Sequence, residues 1–117
     1  MSKHIPLEKT ITNNILKYLN GLPDCRARKI PGGMYGGGWP DIIAVIEGQA
    51  VFIEVKRPGL GKKSHPTPLQ QAELDKWHEA GAIAFTATSV DDVVFYYCPP
   101  GGGGLRIVGD EPAKVGY

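Results

Sequence analysis

The chain carries only two cysteines, and no apolar run in it is long enough to cross a membrane. Cys25 and Cys98 lack the close pairing of a zinc site or a redox motif, so they read as reduced, buried or incidental. A surplus of one charge is also missing. Thirteen Lys and Arg against twelve Asp and Glu leave a formal net charge of +1. A uniformly basic surface is thereby excluded, and any hold on a polyanion must come from local clustering. No secretory h-region is present. Hydrophobic residues make up 42% of 117 residues, enough for one domain with a single modest core. The expectation is a soluble, intracellular protein.

Two acids and a lysine stand on otherwise apolar strands. In G-W-P-D-I-I-A-V-I-E-G-Q-A-V-F-I-E-V-K, Ile42 to Ile46 and Ala50 to Val55 are rich in β-branched residues, with Glu47-Gly48 as a turn between them. A two-residue loop at Glu47-Gly48 pairs Ile46 with Gln49 and Val45 with Ala50, and by extension Asp41 with Glu54. Directly opposed Cβ atoms lie roughly 4.5–5.5 Å apart. Lys56 projects from the same face as Glu54. A turn at Gly48-Gln49 would instead oppose Asp41 to Lys56, and either register gathers the same three residues. Two carboxylates about 5 Å apart repel by roughly 3 kcal/mol at an effective dielectric of ~20. Lys56 offsets part of this, and a divalent cation offsets more.

The surrounding elements are also marked. Residues 7–20 read as a helix with Leu7, Ile11, Ile15 and Leu19 on an apolar stripe and Gly21 past its end. Glu8 lies in its first turn, where a carboxylate suits the helix dipole. Asp24 to Ile30 is a connector or short strand carrying Arg26, Arg28 and Lys29. Thr67, Pro68 and Gln70 spell an N-cap, a first helical position and a capping box for a second helix, which ends at Gly81. Gln70 shares a stripe with Leu74 and Trp77, so it either caps the helix or reaches toward the acidic residues. Ala82 to Ala87 reads as a buried strand, and Ser89 with Asp92 as another N-cap. Between hairpin and second helix, the loop from Arg57 to Pro66 contributes Lys62, Lys63 and His65, cations that suit a phosphate backbone. Glycine is concentrated in 32–38 and 101–104. Residues 1–98 form the expected domain, and 99–117 a Gly/Pro-rich extension with an edge strand over Leu105 to Val108 and a tail.

Glu8 in the first helix, Gly38-Trp39-Pro40-Asp41, Ile53-Glu54-Val55-Lys56, Thr67-Pro68-Leu69-Gln70 and the helix end Glu79-Ala80-Gly81-Ala82 occur in the order of the VRR-NUC family, the virus-type replication-repair branch of the PD-(D/E)XK nucleases. The chain resembles that family from Glu8 to about Val94. The resemblance implies an α/β, restriction-endonuclease-like fold, a central mixed sheet flanked by helices. It implies a metal-dependent endodeoxyribonuclease in which Asp41, Glu54 and the Val55 carbonyl hold Mg²⁺ or Mn²⁺. Glu8 would complete the acidic cluster, directly or through a bound water. Lys56 would orient or help deprotonate the attacking water and stabilise the charge developing on the phosphate, and Gln70 would support the site from the second helix. Arg26, Arg28, Lys29, Arg57, Lys62, Lys63 and His65 are the expected DNA contacts. Stand-alone members of phage size resemble dimeric resolvases of branched DNA. A homodimer on Holliday or other branched junctions is therefore expected, with Val93 to Tyr97 as its contact. Neither a membrane nor a small-molecule cofactor is expected. The setting implied is the cytoplasm of a bacterium, with a phage or prophage gene.

Overall fold

The computed structural model describes residues 5–31 and 37–97. Its elements run α1 (Glu8–Asn20), β1 (Cys25–Lys29), β2 (Ile42–Ile46), β3 (Gln49–Val55), α2 (Pro68–Glu79), β4 (Ile83–Ala87) and α3 (Val90–Tyr96), with a short 3₁₀ turn over Gly61–Ser64. The strands form one sheet in the order β1-β2-β3-β4. β1, β2 and β3 are antiparallel neighbours, whereas β3 and β4 are parallel and joined through α2. The fold is thus the expected α/β arrangement with a mixed sheet.

Strand periodicity sorts the side chains onto two faces. Ile42, Ala44, Ile46, Val51, Ile53, Val55 and Ala87 pack with Ile11, Ile15 and Leu19 of α1 and Val93 of α3. Phe52 and Ala84 point the other way and pack with Leu74 and Trp77 of α2. Helices on both faces of β3 explain why its last five residues are all buried.

The hairpin turns at Glu47-Gly48. Both residues have positive φ, 48° and 85°, the primed geometry whose twist suits a two-residue hairpin. Ile46 accordingly pairs with Gln49 and Val45 with Ala50. At the other edge, Asn20 at the end of α1 binds both backbone groups of Ala27, accepting its N–H at 2.9 Å and donating to its carbonyl at 3.1 Å. That pair fixes β1, and so the basic residues it carries, against the first helix.

One detail of the first helix differs from the sequence reading. Leu7 lies at the N-cap of α1 and is 60% exposed, because the apolar stripe begins only at Ile11. The expected strand at Leu105 to Val108, the tail, Cys98 and most of the glycine stretch 32–38 lie outside the described residues. No helix among the described residues is long and apolar enough to cross a membrane.

Candidate active site

Asp41 immediately precedes β2, and Glu54 and Lys56 lie at the end of β3. Gly38 brings the chain to this position. It has a φ of 84°, and a Cβ there would lie 2.9 Å from the Leu69 side chain, so only glycine lets the backbone pass so close to α2. Pro40 is buried behind it. The Asp41 N–H then donates to the Ile53 carbonyl at 3.0 Å, continuing the hairpin register one step beyond β2. Asp41 is thereby set opposite Glu54.

The carboxylates differ in their fastenings. Asp41 Oδ2 accepts the Val55 N–H at 2.7 Å, a charge-assisted bond across the end of the hairpin. Glu54 is 2% exposed. Its Oε2 lies 3.6 Å from the Lys56 ammonium, while its Oε1 is buried with no hydrogen-bond partner. Such an orphaned acceptor is costly unless a proton or a cation meets it. Part of the burial has a visible source. Phe52, two residues earlier on the same face, is stacked under Trp77 at 4.2 Å, and Trp39 meets Trp77 edge-on.

Burial, and then the Asp41 charge, push the Glu54 carboxyl up to about 8, against the weaker downward pull of Lys56. Glu8, at the start of α1, feels the same centre. Partial desolvation and then the Asp41 charge raise its carboxyl, and Lys56 and Lys29 oppose the rise. A centre that resists holding its own negative charge is one that a divalent cation would relieve.

Among the described residues no three His, Cys, Asp or Glu side chains are gathered as a ligand set. The donors at hand are the carboxylates of Asp41 and Glu54 and the neighbouring Val55 carbonyl. Hard oxygen donors of this number suit Mg²⁺ or Mn²⁺, which keep several waters, and the unpartnered Glu54 Oε1 is consistent with such an ion.

The basic residues fall into three settings. Arg26 and Arg28 are exposed on β1 opposite Val45 and Ile43, and Lys29 stands opposite Ile42. Lys62, Lys63 and His65 line an open cavity of about 480 Å³ with Lys56 and the start of α2, Thr67-Pro68. Among the described residues no carboxylate lines this cavity. Arg57 is placed differently from the free cation expected of it. Its guanidinium donates to the backbone carbonyls of Pro6 and Ile5, at 2.8 and 3.0 Å.

Gln70 also departs from its expected reach toward the acids. Its side-chain oxygen accepts the Thr67 N–H at 2.9 Å, and the Thr67 hydroxyl accepts the Gln70 N–H in return. That reciprocal capping box is the role its side chain plays. Sequence reasoning missed Ser64. Its hydroxyl donates to the Arg57 carbonyl at 2.6 Å and accepts the Leu60 N–H at 2.7 Å, which folds the lysine loop back beside Lys56. A serine three residues into a Gly/Lys loop carries no signal of that closure.

Two solved structures share this architecture. One, described as a VRR_NUC domain, superposes with a TM-score of 0.63 at 23% identity, over 77% of this chain and 97% of its own. A second, described as a VRR_NUC domain protein, gives 0.61 at 19% identity, over 78% of this chain and 84% of its own. The fold is that of a VRR-NUC domain. No protein-family model and no curated protein matches the sequence. Within the VRR-NUC fold, the acidic pair stands where the hairpin opens, with α2 rising on one side and the start of α1 on the other.

Proposed function

We propose that this chain is a metal-dependent endodeoxyribonuclease that cuts branched DNA. The observation that carries the reading is Glu54: a buried carboxylate with one unpartnered oxygen, set opposite Asp41 and 3.6 Å from the Lys56 ammonium. The likeness to VRR-NUC structures supports it.

In this reading Asp41, Glu54 and the Val55 carbonyl hold Mg²⁺ or Mn²⁺, and Glu8 adds charge from α1. The ion would supply Lewis-acid stabilisation of the phosphate and a more acidic water. The protein's own groups do the rest. Asp41 Oδ2 is held by the Val55 N–H, so the carboxylate has a fixed direction. Lys56 projects beside Glu54 and offers an ammonium to the attacking water and to the charge that builds on phosphorus. Water adds to phosphorus and gives up a proton to solvent as the bond to the leaving sugar oxygen breaks, and the departing oxygen takes a proton from solvent. Lys62, Lys63 and His65 receive a neighbouring backbone phosphate in the cavity that Lys56 shares with them. Arg26 and Arg28 extend the contact along β1, and Lys29 adds charge at the site's edge.

A junction resolvase must cut two strands symmetrically, and a two-fold homodimer presents two sites in that relation. Val93 and Tyr97, expected at the dimer contact, are buried in the core, which leaves exposed Val94 and Phe95 on α3 as the candidate surface. A panel of linear, flapped, forked and four-way DNA, run beside light scattering, tests the substrate and the assembly together. The expectation is preferential cleavage of the four-way junction by a dimer. Equal cleavage of linear duplex, or a species that stays monomeric with junction DNA present, would count against a resolvase.

The loop contact has its own measurement. Lys62→Ala and Lys63→Ala should each weaken binding evenly across DNA sequences, and each should lower the slope of log affinity against log salt by about 1. An unchanged slope in both variants removes the loop from the interface.

A further inference from the structure

The residue after Lys56 turns its side chain away from the lysine loop. Arg57 Nε donates to the Pro6 carbonyl at 2.8 Å and Nη2 to the Ile5 carbonyl at 3.0 Å. A guanidinium's planar fork suits two successive carbonyls, whereas an ammonium is a single point of attachment. The contact joins residues 51 and 52 positions apart. It therefore ties the chain entering α1 to the chain leaving β3.

Among the described residues, the tie falls where the start of α1 has no other side-chain hydrogen bond to a distant element. Leu7 at its N-cap makes no side-chain cap bond. The remaining bonds of the first turn, Ile11 N–H to the Leu7 carbonyl and the Thr12 hydroxyl to the Glu8 carbonyl, lie within the helix and its cap. Buried packing begins at Ile11, one turn further on. On the other side the anchor is firm. The Lys56 N–H donates to the Ala87 carbonyl at 3.0 Å, and Ser64 holds the Arg57 carbonyl. Glu8, the first residue of α1, follows the clamped Ile5-Pro6 pair after a single residue.

We propose that Arg57 is a positioning residue that sets Glu8 against Asp41, Glu54 and Lys56. The proposal rests on the reading of those residues as a metal centre. It also separates Arg57 from the DNA contacts, because two of its donors are committed to backbone carbonyls.

The test is Mn²⁺ titration of the full chain by calorimetry, without DNA, on the wild type, Glu8→Gln, Arg57→Lys and the double variant. Arg57→Lys keeps the charge and loses the fork. It should weaken Mn²⁺ binding by about tenfold, the low end of the range for a residue outside the ligand set, and should change nothing further when Glu8 is already Gln. Wild-type affinity in Arg57→Lys, or the same loss in both backgrounds, would overturn the proposal. Amide exchange on the same proteins reads the clamp with no metal present. The Ile11 amide should exchange faster in Arg57→Lys while amides of β3 stay protected. An unchanged Ile11 amide refutes the clamp whatever the titration shows. Faster exchange in a protein that binds no Mn²⁺ at all keeps the clamp and discards the metal reading.

Discussion

A Glu54→Gln variant is expected to lose cleavage by about a thousandfold or more while the metal-free protein becomes more stable at pH 8. The two effects share one cause. Glu54 is 2% exposed and faces Asp41, and burial with that neighbouring charge lifts its carboxyl to about 8 from an ordinary value of 4.5. A group whose folded value is raised favours the folded state fully below its unfolded value, and that contribution is lost as pH rises through the folded value. Wild-type stability attributable to Glu54 should therefore fall between about pH 4.5 and 8. Each unit of displacement corresponds to about 1.4 kcal/mol. Gln carries no charge at any pH and escapes the loss, so thermal melts of the two proteins should diverge by several degrees as pH rises. Saturating Mn²⁺ should reverse the order, since it stabilises only the chain that binds it. Cleavage is expected to fall because the amide is a poor substitute for an anionic oxygen at the proposed divalent-ion centre. Parallel melting curves from pH 5 to 8.5 would contradict the assigned burden on Glu54.

Lys56→Ala should lower the cleavage rate by about 10²–10⁴, the usual range for a group acting on the proton or charge of the transition state. The loss is expected in kcat, with KM for DNA little changed, because in the proposed reading Lys62, Lys63 and the β1 arginines would supply the phosphate grip. Folding should persist. Lys56 is largely buried by side chain, at 16% exposure, yet among the described residues its ion pair is with Glu54, whose charged form the fold already resists. Single-turnover rates across a DNA concentration series separate the two constants. Robust turnover by Lys56→Ala, or a defect wholly in KM, would remove it from the chemistry.

The parts of the molecule that could be read from residues alone are those written locally. Alternating β-branched residues around Glu47-Gly48 specify a hairpin with two candidate registers, and the positive φ at Glu47 and Gly48 selects the one that, a step further on, opposes Asp41 to Glu54. Thr67-Pro68-Leu69-Gln70 specifies a capping box, and Ser89 with Asp92 a cap for α3. What escaped depends on contacts far apart in sequence. The depth at which Glu54 is buried follows from helices covering both faces of β3. The clamp from Arg57 joins the chain ends of two elements, and nothing near residue 57 signals it. Gln70 was legible as a cap and also fitted a stripe pointing at the site. The backbone geometry at Thr67 decided for the cap, since its oxygen is already committed there.

Cleavage of an end-labelled four-way junction with Mn²⁺, with Mn²⁺ plus excess chelator, and with the Glu54→Gln protein tests the central claim most directly. Cut strands are expected only for wild-type protein with free Mn²⁺. Cleavage that survives chelation, or that Glu54→Gln performs as well as the wild type, would contradict it.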